Sequence, residues 1–138
     1  MDGIFGWLGD HGAHQDLIRH MGRAACLSPD GLLHEHSSQM LGVAACSRFG
    51  KADIHVENGL AAALIGRPVF LDDELAFIAQ DRNPATAVAH GWVRHGESLP
   101  ILMQGNFAFA VLEPLRKRAS LVLDRIGAGD AAGLRLEL

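Results

Sequence analysis

No apolar run in these 138 residues approaches the roughly 18–20 that a helix needs to cross a bilayer, which excludes a membrane-spanning helix. A basic amino-terminal stretch leading into an apolar core is also missing, because Asp2, Asp10, His11 and His14 interrupt the first residues. No secretory signal is therefore read there. Cysteine is scarce: Cys26 and Cys46 have no Cys-x-x-Cys spacing and follow Ala24-Ala25 and Ala44-Ala45. They read as buried free thiols of a reducing cytoplasm, which gives the expected location. Positive charge is not in excess, with 12 Lys and Arg against 16 Asp and Glu, a net charge of −4. Neither nucleic acid nor an anionic membrane is an expected partner on that balance. The basic cluster Arg116-Lys117-Arg118 follows Pro114 and reads as a solvated turn. Internal repeats and low-complexity stretches are absent.

What is present is an ordinary globular composition, 49% apolar and 20% charged. The length fits one domain over 1–138 with its own core. Residues 3–8 are short, apolar and glycine-punctuated, as a buried strand is. Leu17, Ile18, Met21, Ala24 and Ala25 recur at helical spacing, with Asp16, Arg19 and Arg23 off that face. Ser28-Pro29-Asp30-Gly31 reads as a turn. Residues 40–46 form a plausible strand, and 53–57 and 60–65 flank Asn58-Gly59, a tight-hairpin signal. Asp72-Asp73-Glu74 opens a helix with Leu75 and Ile78 on one face. Asn83-Pro84 caps a second, lined by Val88, Trp92 and His95 and ending near Gly96. Phe107, Phe109 and Val111 alternate with Ala108, Ala110 and Leu112, so both faces are apolar, one bulky and one small. A strand between two packed layers needs that pattern. The chain then turns over 113–118 and returns over 119–123. Strands first and last with helices between them predict an α+β sandwich.

Two segments carry a family resemblance: Met1-Asp2-Gly3-Ile4-Phe5-Gly6, and Gly105-Asn106-Phe107-Ala108-Phe109-Ala110-Val111-Leu112 with Leu121-Val122-Leu123-Asp124-Arg125-Ile126-Gly127. Together they resemble the glutaminase domain of asparagine-synthetase-like class II glutamine amidotransferases. The resemblance implies a four-layer α-β-β-α sandwich of the N-terminal-nucleophile (Ntn) hydrolase type, with stacked, mainly antiparallel sheets. In that family residue 2 is a cysteine, exposed by loss of the methionine, whose thiol attacks the glutamine amide with its own α-amine as base. Here the catalytic position holds Asp2. Methionine removal requires a small second residue, so Met1 is expected to stay. Arg48 falls where the family arginine contacts the substrate carboxylate; the other reading is a surface charge at a strand end. The oxyanion segment corresponds to Ile65-Gly66-Arg67-Pro68-Val69-Phe70, in which Gly66 fits but Ile65 replaces a side-chain donor. The segment that holds the substrate amine has no match around 81–86, and the synthetase pyrophosphate loop does not occur.

The resemblance thus implies a degenerate amidotransferase-like domain, a non-catalytic partner of a synthetase-type amide-forming enzyme. Its partners would be such a protein or a second copy, and its ligand a glutamine-like small molecule, with no cofactor. Two alternatives stay open: an active glutamine amidohydrolase, or a stand-alone small-molecule binding module. His34-Glu35-His36, with His11 and His14, invites a zinc reading but looks like polar loop residues, so no metal is expected. His90 and His95 read as half-buried polar groups. Cys46 beside Arg48 reads as a structural thiol, the alternative being a displaced nucleophile. The glycines at 127, 129 and 133 do not make the dinucleotide fingerprint.

Overall fold

The computed structural model describes residues 3–9, 16–25, 32–47, 51–124 and 131–137, with the backbone alone at 25, 32, 33, 124 and 131–137. A three-stranded antiparallel sheet is built from β1 (Gly3–Leu8), β2 (Leu32–Ser37) and β3 (Leu41–Ser47), in the order β1-β3-β2. A five-stranded antiparallel meander follows: β4 (Ala52–Glu57), β5 (Leu60–Phe70), β6 (Met103–Glu113), β7 (Arg118–Asp124) and β8 (Ala131–Glu137). The helices are α1 (Leu17–Ala25), α2 (Asp73–Asp81) and α3 (Pro84–His95). The class is α+β, as the order of elements predicts.

Every residue of β3 is buried, which requires cover on both faces. Leu41, Val43 and Ala45 point one way, into an apolar cluster shared with Ala52, Ala61, Ala63 and Leu112 of the other sheet. Ile4, Leu8, Ile54 and Ile65 extend it. The sheets therefore face each other, and small alanines on β4 and β5 let them approach. The opposite face of β3 meets α1, whose Ile18 is buried. The face of α1 differs from expectation: Ile18 and Gly22 are buried, while Leu17 and Ala24 are exposed.

The outer face of the meander packs on α2 and α3. Ala62 and Leu64 of β5, and Phe107, Phe109 and Val111 of β6, join Leu75, Val88, Trp92 and Leu99 in a second core. Trp92 meets the edge of Phe109 with ring centres 6.1 Å apart at 75°. Such an edge-to-face contact favours the electrostatics of both rings. Leu112 lies on the other face of β6, so the bulky-and-small reading of that strand holds.

Local chemistry explains the punctuation. Asn58 and Gly59 take φ of 52° and 74°, the pair of positive values that a two-residue primed turn needs, and Glu57 pairs with Leu60 across it. The Asp72 side chain accepts the Leu75 amide at 3.1 Å to start α2. Asn83 accepts the Thr86 amide at 2.8 Å, with Pro84 at the first helical position of α3. Pro68, inside β5, falls beyond Ile65, the last residue that pairs with β4. Its missing N–H therefore costs no ladder bond on that edge.

Two expectations need correction, and one strand had no expectation attached to it. Cys46 is disulfide-bonded, so it is neither a free thiol nor a nucleophile, and the thiol argument for a reducing compartment falls with it. Cys26, the other cysteine, lies outside the described residues. His34, Glu35 and His36 are strand residues of β2 rather than loop, and Glu35 faces Arg19 of α1 at 3.5 Å. The tail has a strand, β8, that its weak pattern did not announce; pairing along the whole of β7 supplies the order. The 28–31 turn, His11 and His14, and Gly127 and Gly129 lie outside the described residues. No helix among the described residues is long and apolar enough to cross a membrane.

Candidate functional site

The described residues next to the positions singled out in the sequence lie at one end of the three-stranded sheet. Gly3 opens β1 opposite Cys46, and Ser47 closes β3, so the chain flanking positions 2 and 48 sits at the same end of the three-stranded sheet. Asp2 and Arg48 themselves lie outside the described residues. Gly66 is near that end as well, because its N–H donates to the carbonyl of Lys51 at 3.0 Å. Lys51 is only four residues past Ser47, a reach of at most about 14 Å.

Gly66 has φ of +96°, and a Cβ there would collide with the carbonyl oxygen of Asn106 and sit 2.9 Å from the Cα of Phe107. The close approach of β6 therefore dictates glycine. Its amide, being bonded to Lys51, is not free to stabilise an oxyanion, which needs donors aimed at the developing charge. Ile65 is half-buried against the inter-sheet cluster and offers no donor.

A second constellation lies on the helix-facing side of the meander, near the Asn58-Gly59 turn. His55 and Glu57 are two residues apart on β4 and so share a face. His90, on α3, comes down beside them. The Nε2 atoms of His55 and His90 lie 3.0 and 3.3 Å from the same oxygen, Oε2 of Glu57. All three ligand atoms fall within 4.8 Å of one another. The hydrogen bonds from His55, then those from His90, hold the Glu57 carboxyl below its ordinary 4.5.

Neighbours hold His55 in place. Asn83 Oδ1 accepts the Thr86 amide, which identifies that atom as oxygen rather than nitrogen. The buried Thr86 hydroxyl is 3.0 Å from the same oxygen and 3.1 Å from His55 Nδ1. It bonds Nδ1 in either tautomer, as acceptor when Nδ1 carries the hydrogen and as donor when Nε2 does.

Glu57 and His90 open onto a cleft of about 470 Å³ between the hairpin turn, α2, α3 and the 114–116 turn. Glu74 and Arg94 stand at its rim as a bidentate pair, Nη2 to Oε1 being 3.1 Å. At its floor the Trp92 indole N–H donates to Oε1 of the buried Glu113 at 3.1 Å, and Arg116 reaches the other oxygen at 3.5 Å.

No protein-family model matches this chain, and no curated protein matches it. The histidines that stand out in the sequence are His34 and His36, which read as polar residues without a metal, whereas His55-x-Glu57 does not stand out. The alternation of a strand already put that pair on one face. His90 sits 33 residues beyond Glu57, and only the packing of α3 on β4 brings it in.

Proposed function

We propose that this chain is a degenerate glutamine-amidotransferase-like domain, a four-layer α-β-β-α sandwich of the Ntn-hydrolase type. In this reading it serves as a non-catalytic partner of a synthetase-type amide-forming enzyme. The face-to-face antiparallel sheets, with α1 on one outer side and α2 and α3 on the other, support the architecture. The loss of activity rests on chemistry. A carboxylate at position 2 replaces the thiol, and an internal residue has no free α-amine beside it to take up a proton.

The observation that carries the proposal is the Gly66 amide, engaged by Lys51 at 3.0 Å where a glutaminase would present it to substrate. With Ile65 beside it, the segment offers no oxyanion donor from either residue. Removing one such donor typically costs roughly 10²–10³ in rate.

The test is ammonia release from L-glutamine by the wild-type chain, by Asp2→Cys and by Arg48→Ala. No release above the Arg48→Ala background is expected from the wild type, and Asp2→Cys alone should not restore it. Wild-type turnover above that background would overturn the reading. Saturable glutamine binding without turnover, in a chain that captures no amide-forming enzyme, would instead favour a stand-alone binding module.

A further inference from the structure

The geometry points to a divalent transition-metal site, best suited to Zn²⁺, formed by Nε2 of His55, Oε2 of Glu57 and Nε2 of His90. It is independent of the amidotransferase-like reading. The site lies toward the turn end of β4, roughly 17 Å from Ala52 by strand rise, whereas Gly66 is at the Lys51 end.

Three ligand atoms from two elements converge within 4.8 Å of one another. Nε2 of His55 and Nε2 of His90 both lie against Oε2 of Glu57, at 3.0 and 3.3 Å, so one cation placed among them engages all three. Zinc bonds of about 2.0–2.1 Å in a tetrahedron place ligand atoms about 3.3–3.4 Å apart. The two separations, 3.0 and 3.3 Å, are close to that edge.

Two further features fit a metal. A histidine ligand is usually oriented by donating its other ring N–H to a fixed acceptor; with Nε2 on a metal, His55 has the Thr86 hydroxyl, itself beside the N-cap Asn83, 3.1 Å from Nδ1 to accept that hydrogen. The site also has an approach: the side chains of Glu57 and His90 are 46% and 40% exposed and border the cleft, whereas His55, at 13%, is the anchored inner ligand. Two histidines and a glutamate make three protein ligands, and the side toward the cleft is left for water or an exchangeable ligand.

The experiment uses the untagged full chain, stripped with chelator, and measures Zn²⁺ binding by calorimetry and Co²⁺ binding by its visible ligand-field spectrum. One equivalent of either metal should bind, with a tetrahedral Co²⁺ spectrum, and with Zn²⁺ the metal-bound nitrogen shift should appear at His55 Nε2 and not at Nδ1. His90→Gln and Glu57→Gln, both half-exposed positions, should abolish the one-equivalent binding while keeping the wild-type circular dichroism. The double variant His34→Ala/His36→Ala should bind as the wild type does. Absence of stoichiometric binding in the wild type would overturn the proposal and leave a His55–Glu57 hydrogen bond. Binding that survives both glutamine variants would overturn it too, as metal held elsewhere by other histidines.

Discussion

The Thr86 hydroxyl lies 3.1 Å from Nδ1 of His55 and 3.0 Å from Oδ1 of Asn83, so a helix N-cap anchors a strand histidine 31 residues away. Thr86→Val keeps the shape and removes the hydroxyl. His55 Nδ1 then has no partner, and an unsatisfied, partly buried polar atom costs about 1–3 kcal/mol. Nitrogen-resolved spectra of the imidazole should show the balance of the two His55 tautomers changing. An unchanged balance in Thr86→Val would mean that Thr86 does not anchor the ring.

The Trp92–Glu113 bond makes a similar demand inside the second core. Glu113 is only 9% exposed and its Oε1 accepts from the Trp92 indole. Trp92→Phe keeps much of the apolar area against Phe109 but leaves that oxygen short of a donor. We expect a loss of about 1–3 kcal/mol in urea unfolding followed by far-UV circular dichroism. Glu113→Gln, which retains a side-chain oxygen to accept the bond, should lose less; equal losses would show that the indole bond is not the cause.

What could be read in the sequence was what is decided locally. Asn58-Gly59, Asp72 and Asn83-Pro84 act within a few residues of themselves, so the hairpin and the starts of α2 and α3 were all visible. The alternation of β6 was visible because both its faces are buried, each in a different core. The face of α1 was not. Ile18 and Gly22 face inward and Ala24 outward, because the sheet beneath sets how far the helix is rotated. The histidine cluster was half visible in His55-x-Glu57. Its other half depends on where α3 crosses β4, which no local pattern encodes.

Gly66 gives the sharpest steric prediction. At φ +96° a non-glycine residue is strained, and the Asn106 carbonyl occupies the space its Cβ would take. The obstacle is backbone of a central strand, which cannot swing aside as a side chain end does. Gly66→Ala should therefore destabilise by about 2 kcal/mol or more, loosening the β5–β6 pairing around Phe107. Hydrogen exchange should localise the loss to that ladder, and wild-type protection there would defeat the steric account.

The Glu74–Arg94 pair joins α2 to α3 across the cleft rim, and its effect on stability has a definite sign with pH. The hydrogen bond from Arg94, and then its charge, hold the Glu74 carboxyl below 4.5, while Asp72 opposes them weakly. Arg94 is raised by the same pairing. A group whose folded pKa is depressed stabilises the fold above its unfolded value and loses that contribution as pH falls through the folded one. Both side chains are more than half exposed, so solvent screens the pair and the effect is small. The stability difference between wild type and Glu74→Gln should be constant above about pH 5, then shrink as the medium is acidified below 4.5. It should also shrink with added salt at neutral pH, because a Debye length of about 10 Å at 0.1 M falls to about 3 Å at 1 M. Taking the difference cancels the titration of Glu57, which is depressed as well and would otherwise give the same trend. A difference that grows on acidification would show that the pair does not form in solution.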